Sequence, residues 1–373
     1  MTLDEQASIS GSTPDETGAP RAVKGRGAVS NRTGRYEPTA RIAVDDGWET
    51  TERDETPLPR TTVTWDTTRT VIARNQSPDL GFDRSINPYR GCEHGCVYCF
   101  ARPTHAFLGL SPGLDFETRL FAKPDAARLL ERELADPKYR PGLIALGTNT
   151  DPYQPVERRL GITRSILEVL AAAHHPVAIV TKSDLVLRDL DILAPMAERR
   201  LAAVTVSVTT LERDLARRLE PRAPTPGRRL AAIRGLAAAG VPTGVLAAPM
   251  IPALNDAELE RILEAAANAG ATTAGYVLLR LPLEIKGLFT EWLETHAPAK
   301  AKHVLNLVRD TRGGKLYQSE FGRRMTGSGP YADLLAKRFR LAASRLRLGR
   351  RDLALDTTQF VRPSLPGDQL SLL

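Results

Sequence analysis

From residue 125 to residue 279, short apolar runs alternate with longer amphipathic stretches. Helices are predicted over 125–134, 162–173, 187–199, 228–239 and 257–269. The runs that separate and follow them, 142–147, 177–181, 202–208, 243–248 and 274–279, are short and mostly apolar. That is the mark of strands buried on both faces, as in a parallel sheet covered by helices. A further strand at 85–89 brings the count to about six β/α units. Upstream, 61–74 alternates Thr and Val with polar residues and predicts one or two short strands. Downstream, 280–296 opens a helical section continued by helices at 300–309 and 329–348, expected to close the open side of the fold. The pattern predicts an α/β architecture in which ligands sit at the C-terminal ends of the strands.

Residues 1–60 are rich in Gly, Thr, Pro and charge and lack periodicity, so a largely disordered N-terminal extension is expected. The core is expected over 61–283, a basic helical section over 284–350, and an extended, proline-containing tail over 351–373. Within the extension, K-G-R-G-A-V-S-N-R-T-G-R-Y-E (24–37) suits wrapping phosphates or another surface of the protein, or is simply a basic linker. No apolar run reaches the length of a membrane span, and the N-terminus is acidic and polar, unlike a signal peptide. A soluble, cytoplasmic protein is expected. The net charge is +7. Residues 300–351 carry fourteen Lys or Arg against three acids, a surplus of eleven that leaves the rest at −4. A basic end on a mildly acidic protein suits a polyanion partner or forms a solvated helical surface.

All three cysteines fall within eight positions, as Cys92, Cys96 and Cys99 in C-x3-C-x2-C spacing. An odd count without a signal peptide argues against disulfides. A zinc site needs a fourth protein ligand. His94 sits too close to Cys92 and Cys96 to close a tetrahedron comfortably, which leaves a more distant histidine open. Thiolates are the usual ligands of iron–sulfur clusters, and three of them leave one iron of a four-iron cube free. Gly91 and Gly95 flank the first half of the loop and permit backbone conformations that aim several side chains at one object.

The spacing, with an aromatic residue (Tyr98) before the third cysteine, resembles the radical S-adenosylmethionine (SAM) superfamily. That resemblance implies a partial (β/α)6 TIM-like barrel, a [4Fe–4S] cluster on the three cysteines and SAM chelating the fourth iron. The runs N-P-Y-R-G-C-E-H-G-C-V-Y-C-F-A-R-P-T-H, L-D-F-E (114–117), T-N-T-D-P-Y-Q-P-x-E, T-K-S and P-x-I-P-x-L-N-D are similar to the branch related to spore photoproduct lyase, called DNA-repair-photolyase-like. The likeness spans roughly residues 24–348. It implies reductive cleavage of SAM to a 5′-deoxyadenosyl radical, hydrogen abstraction from a substrate, and an external electron donor such as flavodoxin or ferredoxin.

Polar residues follow the strands as that fold requires. Thr148, Asn149, Thr150 and Asp151 suit the SAM amino group and ribose or the substrate, although Asp151 suits the cap of a turn equally. Lys182 is the expected partner of the SAM carboxylate, because a lysine directly after a buried strand needs an anion. Ser207 and Thr209 follow the next strand; Ser207, like Tyr98, is an expected SAM contact, and Met250 and Ile251 suit the adenine pocket. Asn255 and Asp256 read as the cap of the following helix. Spore photoproduct lyases use an extra cysteine as hydrogen donor; none exists here, which argues against repair of the spore photoproduct itself and leaves open a tyrosine donor, with Tyr153 the candidate, or a different radical outcome. A nucleic-acid substrate, in DNA repair or base modification, is the first expectation. A peptide or small metabolite is an alternative, as is a non-enzymatic, metal-stapled nucleic-acid-binding protein. At the C-terminus, Gln369, Leu370, Ser371, Leu372 and Leu373 resemble the pentapeptide that docks on the DNA sliding clamp, or pack on their own domain.

Overall fold

The computed structural model describes residues 22–39, 60–350 and 355–364. Its strands, in chain order, are β1 (Thr62–Trp65), β2 (Ile72–Arg74), β3 (Arg84–Ile86), β4 (Tyr89–Arg90), β5 (Arg119–Ala122) and β6 (Ile144–Leu146). They continue as β7 (Val177–Thr181), β8 (Ala202–Ser207), β9 (Thr243–Met250), β10 (Thr273–Leu278) and β11 (Gly349–Arg350). Eight of them form one sheet in the order β11-β10-β9-β8-β7-β6-β3-β2. Every neighbouring pair from β3 to β11 is parallel, and β2 closes one edge antiparallel to β3. The six strands β3 and β6–β10, with their intervening helices, are the expected partial (β/α)6 barrel. Its apolar runs are buried: β6 and β8 are buried at every position.

Helices Ala126–Ala135, Ile162–Ala172, Pro226–Ala238 and Leu259–Asn268 lie within about three residues of their expected bounds. The stretch at 187–199 divides into a 3-10 turn, Asp184–Asp189, and a helix, Leu190–Glu198. The Ser183 side chain caps the turn by accepting from the Leu185 N–H at 3.2 Å. The single strand expected at 85–89 also divides. Pro88 has no N–H to continue a ladder, and the chain passes from β3 in the main sheet to β4 in a second sheet, β1-β5-β4.

Helices Ile285–His296 and Pro298–Asp310 cover the cysteine loop. Phe289, Trp292, Val304 and Val308 share one apolar core with Cys96, Val97 and Tyr98. Helix Pro330–Arg345 does not join them; it packs on Leu259–Asn268 and leads into β11. Part of the basic surplus turns inward here. Arg312 is 1% exposed and donates to the carbonyls of Leu278, Leu279, Arg323 and Arg324. Arg324 pairs with Asp79, and Arg338 with Glu260. The clamp-like residues Gln369, Leu370, Leu372 and Leu373 lie outside the described residues.

Residues 355–364 run along the domain: the Asp356 N–H donates to Arg200 O and the Val361 N–H to Ala173 O, both at 2.9 Å. Phe360 packs on Tyr139 and His175. His175 is fully buried, with Nδ1 3.1 Å from Pro176 O and Nε2 2.8 Å from the Tyr139 hydroxyl. Burial, aided by the Arg84 charge, lowers its pKa from 6.5 to about 4. The unfolded imidazole therefore takes up a proton that the folded one refuses. Stability due to this group is complete above pH 6.5 and falls as pH drops toward 4, by about 3 kcal/mol. In urea titrations across this window, His175→Gln should lose about that much less stability than the parent chain.

Candidate active site

The cysteine loop follows β4 and is built on buried polar contacts. Gly91 and Gly95 adopt φ of +77° and +67°, the left-handed conformations their positions demanded. The Cys92 N–H donates to Phe116 O at 2.9 Å and the Val97 N–H to Leu219 O at 3.1 Å. Arg102, fully buried, supplies the frame. Its guanidinium donates to the carbonyls of Gly95, Cys96, Pro112 and Gly113 and pairs with Glu117, engaging all its N–H groups. Gln154 accepts from the Glu93 N–H at 2.8 Å and donates to Gly91 O at 3.2 Å.

The N-terminal segment completes this frame. Glu117 also accepts from the N–H groups of Gly27 (3.0 Å) and Ala28 (2.8 Å). A Cβ on Gly27 would stand 1.7 Å from Gly95 O, so only glycine lets the two segments touch. Of the readings open for residues 24–37, this is contact with the protein's own surface.

Cys92 and Cys96 are buried and Cys99 is half-buried; none forms a disulfide. Burial pushes all three thiols up. Cys92 also feels the charges of Asp151, Cys96 and Cys99, and Cys96 those of Lys182, Glu220 and Cys99, so the thiols lie within electrostatic reach of one another. Among the described residues, no three His, Cys, Asp or Glu side chains are grouped to hold a single metal ion. A cube asks for wider spacing than one tetrahedral ion, whose sulfurs stand about 3.8 Å apart. Three unpaired thiols on one loop, short of a fourth, match the donor set of a cluster with an open iron. His94 Nδ1 lies 3.4 Å from Asp151 Oδ2.

At the strand ends the structure brings together Tyr98, Lys182 and Ser207. Lys182 Nζ is 3.4 Å from Ser207 Oγ and 5.8 Å from the centroid of the Tyr98 ring. Sequence reasoning missed the residue that organises them, Glu220. This buried carboxylate accepts from the Tyr98 hydroxyl, from Thr209 Oγ1 at 2.6 Å and from Arg229, and lies 3.9 Å from Lys182 Nζ. Burial pushes its pKa up; the Arg229 charge and hydrogen bond pull against that without cancelling it. Arg229 is itself buried and donates to Pro224 O at 2.8 Å and Ser207 O at 3.2 Å. The protein thus places one carboxylate of its own near Lys182, at 3.9 Å.

The other expected residues are placed as follows. Asp151 stands behind Lys182, accepting from its N–H at 2.8 Å, from Thr181 Oγ1 at 2.7 Å and from the Tyr153 N–H at 2.9 Å. Burial alone would raise its pKa, but the His94 ring and these donors prevail and hold it at about 2. Its oxygens are engaged by the protein, which is the turn-capping reading. Thr148 and Asn149 are half-buried on the loop after β6, where the Asn149 N–H donates to Asn87 Oδ1 at 3.1 Å. Tyr153 is fully buried and its hydroxyl donates to Asp189 at 3.1 Å, part of a network with Arg164 and Arg188 that braces the loop. Asn255 does not cap the next helix: it accepts from the Ile251 N–H at 2.6 Å and donates to the carbonyls of Thr209 and Pro249. Asp256 accepts from the Tyr331 hydroxyl.

Comparison with known proteins fits this geometry. An uncharacterized protein of Mycobacterium tuberculosis is 40% identical over 242 residues, covering 64% of this chain and 71% of the relative. Residues 86–266, which hold the cysteine loop and the strands from β6 to β9, match the family model described as the radical SAM superfamily. The chain belongs to the radical SAM superfamily. Radical SAM proteins use a [4Fe–4S] cluster and SAM, the pair for which the three thiols are suited. Two solved structures share the fold. A spore photoproduct lyase mutant has a TM-score of 0.55 at 17% identity, covering 76% of this chain and 79% of its own. Another spore photoproduct lyase mutant, with bound AdoMet and dinucleoside spore photoproduct, has a TM-score of 0.54 at 16% identity, covering 76% and 78%. No helix among the described residues is long and apolar enough to cross a membrane.

Proposed function

We propose that this radical SAM protein is an enzyme that acts on nucleic acid. The observation carrying this reading is the juxtaposition at the strand ends: an ammonium, a hydroxyl and an aromatic ring beside three thiols on one loop. When bound, the cluster and SAM supply reductive cleavage of the sulfonium and removal of a hydrogen atom from the substrate. Cys92, Cys96 and Cys99 would hold the cluster. Lys182 receives the SAM carboxylate, because it keeps donors beyond its contact with Ser207 and its carboxylate neighbour is 3.9 Å away. The Tyr98 hydroxyl is fixed by Glu220 and Thr209, and its ring would lie near the adenine. Thr148 and Asn149 stand at the rim for ribose or substrate, and Asp151 acts through the Lys182 backbone. An external electron donor such as flavodoxin or ferredoxin would supply the electron.

The nucleic-acid substrate is supported by the fold shared with a lyase solved with a dinucleoside photoproduct. Repair of that photoproduct is not part of the proposal: no cysteine remains as hydrogen donor, and the Tyr153 hydroxyl is held on Asp189. The test is anaerobic reconstitution with iron and sulfide, then dithionite and SAM with and without DNA or RNA oligonucleotides. Formation of 5′-deoxyadenosine, stimulated several-fold by one of these nucleic acids, is expected. A full cluster with no 5′-deoxyadenosine refutes the enzyme, and cleavage indifferent to every nucleic acid refutes the substrate.

A further inference from the structure

Two adjoining cavities run past the cysteine loop. The first, about 740 Å³, is lined by six cations, Lys24, Arg26, Arg60, Arg158, Arg159 and Arg222, with Glu93 as its one carboxylate. The second, about 500 Å³, shares Pro155, Arg158 and Arg222 with the first and extends past His94 to Ser183 and Arg228. The groove therefore begins on the N-terminal segment and ends at Ser183, the residue that follows Lys182 in the chain. Glu93 is already paired with Arg222 at 3.1 Å. Lys24, Arg60, Arg158 and Arg159 are exposed and have no side-chain partner among the described residues. Arg26 is buried and donates to Glu117 O and Thr61 Oγ1; burial, and then the neighbouring Arg222 charge, lower its pKa. Like charges converging in a concavity favour an anion there.

We propose that this groove is a phosphodiester-binding site that holds the backbone of a nucleic-acid strand and leads it to the strand-end residues. Guanidinium forks match phosphate oxygens in pairs. The combined space is far larger than one phosphate fills, so the ligand carries phosphates along a chain. The basic C-terminal section is a poorer candidate, since Arg312, Arg324 and Arg338 are engaged internally. The proposal rests on the nucleic-acid reading above and deepens it.

The test is binding, not turnover. Reconstituted full-length protein is titrated, by fluorescence anisotropy over a range of salt, into a fluorescein-labelled single-stranded DNA of about 16 nucleotides. Arg158→Ala with Arg159→Ala should weaken binding about ten-fold and lower the log–log salt slope by about 1.4, two contacts' worth on a single strand. Lys337→Ala with Arg340→Ala, an exposed pair on the C-terminal helix, should stay within about two-fold. The reverse pattern, or equal loss from both pairs, overturns the groove and leaves the substrate reading intact. So does displacement by a polyglutamate peptide that matches displacement by unlabelled DNA, because the groove would then be a general anion surface. Absence of binding by the parent chain overturns both.

Discussion

Replacing Cys99 by alanine should leave a folded protein that makes no 5′-deoxyadenosine. The side chain is small and half-buried, so its loss costs the fold on the order of 1 kcal/mol. The effect on turnover is of another size. With one thiolate gone the cube has no third anchor, and SAM cleavage should fall at least about 1,000-fold, about 4 kcal/mol at the barrier. Chromatography of the product, iron content and a thermal melt read the three parts separately. Iron retained at the parent level with cleavage within ten-fold would show that this thiol is not a ligand. Cys92→Ala and Cys96→Ala should behave alike, with a somewhat larger stability cost because both are buried.

The largest effect on stability is expected at Arg229. In Arg229→Met, the Glu220 carboxylate stays buried without its cation, and the bonds to Pro224 O and Ser207 O are lost. Breaking such a pair costs about 3–5 kcal/mol, whereas replacing both partners by neutral groups of similar volume is often nearly neutral. Glu220→Gln added to Arg229→Met should therefore recover much of the loss. The pH dependence has a defined sign. Glu220 already lies above its ordinary 4.5, and removal of Arg229 raises it further. The fold then favours the protonated acid, so the penalty is smallest below the unfolded pKa and grows as pH rises through the folded one. Urea midpoints at pH 5 and pH 8 measure this; a change under about 1 kcal/mol at both would remove Glu220–Arg229 from the supports of the site.

The strands were legible because the burial that defines them is local. The run at 177–181 coincides with β7, since an apolar stretch buried on both faces announces itself within five residues. Lys182 was legible as a cation in need of an anion, but the buried carboxylate 3.9 Å from it was not. Glu220 lies in R-R-L-E-P-R, which reads as an ordinary solvated face. Only its meeting with Tyr98, 122 residues away in sequence, shows that it is buried. Arg102 and Gln154 were hidden in the same way: each stood inside a recognised motif, yet the loop carbonyls and amides they serve are assigned only in three dimensions. Asn255 was misread because an Asn before a helix is most often its cap, while here the preceding turn claims the side chain. The division between β3 and β4 was foreshadowed by Pro88, which should have ended the predicted strand.

The hydrogen bonds from Gly27 and Ala28 to Glu117 bridge about 90 residues of chain. The wall around the sulfurs is therefore not contained within residues 86–266, the stretch by which the family is recognised. A fragment trimmed to those limits would open Glu117 and one side of Arg102 to water, and the loop would lose the neighbour that holds Gly95 in place. Truncations meant for cluster loading should start no later than Lys24.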